Sequence, residues 1–205
     1  MKEKAYYEKV NVKNKTLLRN LLQKMPPYCK QFFIGIEPTT SSRTRIAYAY
    51  DLNCFFDYLH ENNPLCTKKD ITEIPLSVLG NLAPMDIEEY LSYLKYYEKD
   101  GVEHTNDERG LKRKLASLRS FYRYLYKNEM IGQDPAVKVD MPKIHEKTIT
   151  RLDIDEVANL LDEVESGESL TEKQQKFHEK TKTRDLAMMT LLLGTGIRVS
   201  ECVGL

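Results

Sequence analysis

Apolar residues along this chain recur at helical spacing, and helices account for most of what the pattern predicts. Tyr48, Leu52, Phe55 and Leu59 follow one another at +4, +3 and +4, so they share one face of a helix. That helix is expected from Ser41 or Ser42, either of which makes a good N-cap, to about His60, with Asn62-Asn63-Pro64 as its stop. A second begins near Pro84 to Asp86, a favourable first turn, with Ile87, Tyr90, Leu91 and Leu94 as its buried stripe and Asp100-Gly101 closing it. A third spans about Asn106 to Lys127 on the seam Leu111, Leu115, Leu118, Tyr122 and Leu125. Leu17, Leu18, Leu21 and Leu22 mark a shorter helix before Pro26-Pro27. No alternating strand stands out, so the expected fold is all-α, a helical bundle from about residue 12 to 132.

Beyond Gly132 the periodicity stops. Pro135, Pro142 and the stretch from Ala136 to Thr150 read as an extended interdomain linker. A second unit starts near Arg151. Asp153 with Glu156 three residues on forms a capping-box pattern ahead of Ile154, Val157, Leu160, Leu161 and Val164. Ser166 to Lys182 is polar and expected as a loop. From Thr183 a further helix carries Leu186 to Leu193, apolar nearly all round and therefore expected to be buried on every side. Gly194-Thr195-Gly196 breaks it, and another helix should begin near Ile197.

Composition narrows the class. At 205 residues, 41% hydrophobic and 30% charged, the chain has enough apolar content for one or two ordinary cores and too little glycine and proline for a fibrous or low-complexity protein. No apolar run reaches membrane-span length, and the start Met1, Lys2, Glu3, Lys4 lacks the apolar stretch of a secretory signal. A cytoplasmic protein with reduced cysteines and no membrane partner is the expectation. Cys29, Cys54, Cys66 and Cys202 form no Cys-x-x-Cys pair and no zinc spacing, so neither a metal nor a cofactor is expected.

Net charge is zero, but its distribution is uneven: +6 over residues 1–35, −7 over 36–110, +5 over 111–150, −5 over 151–180 and +1 over 181–205. Segregation on this scale creates local basic surfaces on a neutral protein. On a helical wheel Lys112, Arg119 and Arg123 fall within about 40° of each other, with Arg113 and Lys127 alongside. No acid lies between Leu111 and Lys127. A stripe of this kind suits a row of DNA phosphates, and equally a solvated face or a partner for the acidic segments. Ser41, Ser42, Arg43, Thr44 and Arg45 add hydroxyls, cations and free N–H groups at a helix start, which is suitable for a phosphate.

The C-terminal stretch carries a more specific signal. Leu191-Leu192-Leu193-Gly194-Thr195-Gly196-Ile197-Arg198-Val199-Ser200-Glu201 is an apolar helix, a Thr-Gly turn and then Arg-x-Ser-Glu. It resembles the first catalytic box of the tyrosine recombinases, or phage integrases. Leu115 to Leu125 resembles the last long helix of that family's core-binding domain, and Asp134-Pro135-Ala136 with Met141-Pro142-Lys143 resembles its interdomain linker. The resemblance spans roughly residues 40–205.

The resemblance leaves residues 1–35 as an unassigned basic N-terminal extension and implies a SAM-like helical core-binding domain (36–132) and a linker (133–150). It further implies the first helices of an incomplete α+β catalytic domain (151–205). The implied activity is site-specific cutting and rejoining of duplex DNA through a covalent tyrosyl-phosphate, by a homo-oligomer, a tetramer on DNA in the full-length protein. The implied DNA contacts are Ser42, Arg43, Thr44, Lys112, Arg113, Arg119, Arg123, Lys127 and Lys143. Arg198 is implied as the catalytic residue that stabilises the scissile phosphate without a metal, with Glu201 orienting it; a buried Arg198–Glu201 pair without a catalytic role is the alternative. All thirteen tyrosines lie at or before Tyr126, so the 205 residues are expected to lack the nucleophile and to be inactive alone. A non-catalytic fragment that occupies recombination sites is the competing expectation.

Overall fold

The computed structural model describes residues 6–145 and 150–203, which fall into two compact units, 1–145 and 146–205. In the first unit, α1 (Tyr6–Leu22), α2 (Pro27–Gly35), α3 (Ser42–Asn62), α4 (Leu76–Asn81), α5 (Pro84–Tyr93) and α6 (Glu108–Lys127) pack around one core. The amphipathic stripes find the partners that their spacing required. Leu52, Phe55 and Leu59 of α3, Ile87 and Tyr90 of α5, and all five seam residues of α6 are buried.

The caps are local and visible in sequence. Ser41 accepts the amide of Thr44, Asp107 that of Gly110, and the carboxylate of Asp86 accepts the amide of Ala83.

Three features differ from the expectation. The segment expected as an extension contributes to the bundle: Pro27 sits in the first turn of α2, where its missing N–H costs nothing, and Cys29, Phe32 and Phe33 of that helix lie in the core. The fold is not purely α. Asp100-Gly101 closes a hairpin rather than a helix, joining β1 (Tyr96–Lys99) to β2 (Val102–Thr105), with Lys99 opposite Val102 and Tyr96 opposite Thr105. Both turn residues have positive φ (54° and 73°), as a two-residue turn matched to strand twist demands. The hairpin rests on a ladder of rings, Tyr58–Tyr93–Tyr97–His104, with successive centroids 4.9, 5.1 and 5.0 Å apart.

The third difference is the linker. Pro135–Lys138 forms a 3-10 turn capped by Asp134, and Pro135, Ala136 and Val139 are buried against the bundle. The first unit therefore includes the linker as far as His145, while residues 146–149 lie outside the described residues.

The second unit holds α7 (Ile154–Ser166), α8 (Glu172–Thr195) and α9 (Val199–Cys202). The expected capping box is present, Asp153 accepting the amide of Glu156 while Glu156 accepts that of Asp153. The polar stretch expected as a loop is helical from Glu172 onward, because Thr171 and Gln174 start α8 several turns before its apolar part. Leu186 to Leu193 is not buried on every side. α8 packs against α7 and α9, and Met188 is 39% and Leu193 41% exposed.

Candidate nucleic-acid interface

Helix α6 is held in place by a buried ionic node that side-chain periodicity does not reveal. Asp51 of α3, 2% exposed, accepts hydrogen bonds from Arg113, from Ser117 Oγ at 2.7 Å and from Lys114 Nζ at 3.4 Å. Three donors converge on one carboxylate, as a buried charge requires. Arg113 thus bonds inward, although half of its side chain remains exposed.

Around the rest of the helix the basic residues separate into two groups. Lys112, Arg123 and Lys127 are exposed and make no ion pair among the described residues. Arg119, expected among them, bonds to the linker instead: Nε donates to Ala136 O at 3.0 Å and Nη2 donates to Val139 O. Farther along, the backbone N–H of His145 donates to Glu108 Oε2 at 2.7 Å, and the His145 ring bonds the other carboxylate oxygen. These bonds hold the Glu108 carboxyl below its usual range, the backbone N–H contributing most and the ring next. Lys143, between the two attachment points, is exposed.

At the start of α3, Ser42 faces α1. Its Oγ donates to Asn11 and accepts from Asn14 Nδ2 at 3.0 Å. Thr44 Oγ1 lies 2.8 Å from Ser41 Oγ, and the buried Arg45 holds the carbonyls of Glu37 and Thr40. Arg43 alone of this group is an exposed cation. The cluster expected as a phosphate site is thus mostly a joint between helices.

In the second unit, Gly196 ends α8 with a φ of 65°, a conformation that only glycine adopts without strain, and the chain turns to place Arg198 at the start of α9. Glu201 accepts the Arg198 backbone N–H at 2.8 Å and its guanidinium at 3.2 Å. The arginine side chain is 81% exposed, so the pair is a surface clasp that leaves most of the guanidinium donors open, not a buried ion pair.

Of the residues named from sequence, the fold groups Lys112, Arg123 and Lys127 on one exposed face of α6, and turns Ser42, Arg113 and Arg119 toward protein partners. Asp51, Glu108 and His145 escape sequence reasoning, since a lone carboxylate on an amphipathic helix gives no sign of its distant partner.

Residues 30–129 match the phage integrase N-terminal SAM-like domain. Tyrosine recombinase XerC of Caldanaerobacter subterraneus subsp. tengcongensis is 30% identical over 203 residues, 95% of this chain and 52% of that protein. Tyrosine recombinase XerC of Leptospira interrogans serovar copenhageni is 30% identical over 83% of this chain and 46% of its own length. Tyrosine recombinase XerS of Lactococcus lactis subsp. cremoris is 27% identical over 94% of this chain and 60% of its own. The chain spans about half the length of the curated relatives it matches. No solved structure matches it. With the SAM-like bundle, the basic face of α6 and the Thr-Gly-x-Arg-x-Ser-Glu turn on one chain, and these relatives along nearly all of it, the protein is a member of the tyrosine recombinase family.

Proposed function

We propose that the chain is the DNA-gripping part of a site-specific recombinase that cuts and rejoins duplex DNA through a covalent tyrosyl-phosphate, working as a homo-oligomer, a tetramer, on its site. The exposed face of α6 carries this reading. Lys112, Arg123 and Lys127 stand on one side of a helix fixed by its core seam and by Asp51, with no acid among them. Unpaired cations on a rigid support suit a phosphate row, since each contact releases counterions and loses little side-chain order beyond its own. Arg43 and Lys143 are further phosphate contacts in this reading.

Arg198 is the catalytic residue of the proposal. Its planar fork, set at a helix start by Gly196 and steadied by Glu201, suits two hydrogen bonds to one phosphate as negative charge develops. Every tyrosine lies at or before Tyr126, in the bundle, and none follows Arg198. The 205-residue polypeptide on its own therefore binds DNA without forming a covalent adduct.

Replacing Lys112, Arg123 and Lys127 together by alanine weakens duplex binding and flattens its dependence on salt, by about one unit of logarithmic slope for each phosphate left without its cation. An unchanged slope rejects the face as the DNA contact. In a longer chain that carries the nucleophilic tyrosine, Arg198→Ala retains binding. Its cleavage of a suicide substrate falls about a hundredfold or more, as loss of one preorganised donor commonly does.

A further inference from the structure

We propose that residues 135–145 form a strap along α6, clasped by Arg119 at one end and Glu108 at the other, and that Arg119 is a positioning residue for the linker rather than a phosphate contact. The strap runs antiparallel to α6. Ala136 and Val139 meet Arg119, and six residues later His145 meets Glu108, eleven residues back along the helix. Eleven helical residues rise about 16 Å, and six residues of fully extended chain reach about 20 Å. The segment between the clasps thus has little slack, and its far end is held at Glu108.

The two clasps occupy one edge of the helix. On a wheel, Glu108 and Arg119 lie about 20° to 40° to one side of Lys112, toward the core seam, whereas Arg123 and Lys127 fan out to the other side. The strap consequently closes the gap between the basic face and the core, burying Pro135, Ala136 and Val139 and half-burying Met141, while the outer cations stay open. Arginine is suited to the first clasp because its fork spans two carbonyls, where a lysine supplies a single point of attachment. Such a strap sets the course of residues 135–145 beside the cations that hold the duplex, a statement that rests on the DNA-binding reading.

Trypsin cleavage after Lys138 and Lys143 in the 205-residue chain tests the strap without reference to DNA. Arg119→Ala is expected to speed both cuts at least about tenfold, and Glu108→Ala to speed the cut after Lys143 more than that after Lys138. Arg119→Lys retains the charge and is expected to speed the cuts as well, and it replaces the alanine variant should that one fail to fold by circular dichroism.

The second arm is the salt dependence of binding to a nonspecific duplex of about 30 base pairs. Here Arg119→Ala and Arg119→Lys keep the parent's slope, whereas Arg123→Ala lowers it by about one unit and leaves the cuts unchanged. Unchanged cutting in both Arg119 variants, or a slope lowered by one in Arg119→Ala, overturns the assignment. Absence of DNA binding by the parent chain would overturn the proposed function while the cleavage arm still decides the strap.

Discussion

The two units are built by different means. In the first, α2, α3, α5 and α6 each bury large side chains in a shared core, and Phe32, Phe55, Phe56, Tyr90, Phe121 and Tyr122 are all less than 2% exposed. In the second, α7, α8 and α9 bury no side chain among the described residues, and Ile154, Phe177 and Val199 are largely exposed. Its helices are marked instead by their ends: capping bonds at Asp153 and Thr171, left-handed glycines at 167 and 196, and the Arg198–Glu201 clasp. Helix position can thus be encoded locally, whereas resistance to unfolding comes from shared burial.

The largest expected effect that would sharpen this contrast is Phe32→Ala. It should cost the bundle about 3–5 kcal/mol in denaturant unfolding, while Leu160→Ala in α7 should cost less than about 1 kcal/mol. Similar losses at the two positions would break the comparison. Next in size, Asp51→Ala strands Lys114 beneath the surface and should destabilise the first unit by about 3 kcal/mol, read as a lower denaturant midpoint. Smaller still, Asp153→Ala should weaken α7 by about 1 kcal/mol, seen as faster amide exchange over residues 154–160 with no change in the bundle's melting. The smallest effect is one of pH. The Glu108 carboxyl is held below its ordinary value, so its contribution to the strap is complete above that value and is lost as pH falls through the lowered one. The amide resonance of His145 should therefore shift on acidification below the ordinary glutamate range, and should not do so in Glu108→Ala.

What is legible in the sequence follows the physics of each element. The α6 seam is readable because five apolar residues repeat at helical spacing, and the Asp153 box because its two partners are three residues apart. The hairpin is not, since Asp100-Gly101 serves a helix end and a two-residue turn alike and the flanking strands are only four residues long. The first half of α8 lacks an apolar face, so its polarity resembles a loop although Thr171 and Gln174 mark its start. Pro26-Pro27 reads as a stop, whereas the second proline opens α2. At the candidate site the cations of α6 are all visible in the sequence, but their division is not. Arg119 is bound by backbone carbonyls, which every residue carries and no side-chain pattern announces, and Arg113 by a carboxylate 62 residues away.

The ring ladder beneath the hairpin has an optical consequence. The chain has no tryptophan, all thirteen tyrosines lie at or before Tyr126, and the only aromatic residue of the second unit is Phe177. Tyrosine emission and the tyrosine band of the near-ultraviolet dichroism, with rings about 5 Å apart in the ladder, consequently report on the first unit alone. Far-ultraviolet dichroism sums the helices of both. A melt followed at both wavelengths separates the two units without any label, and superimposable curves would mean that they unfold together.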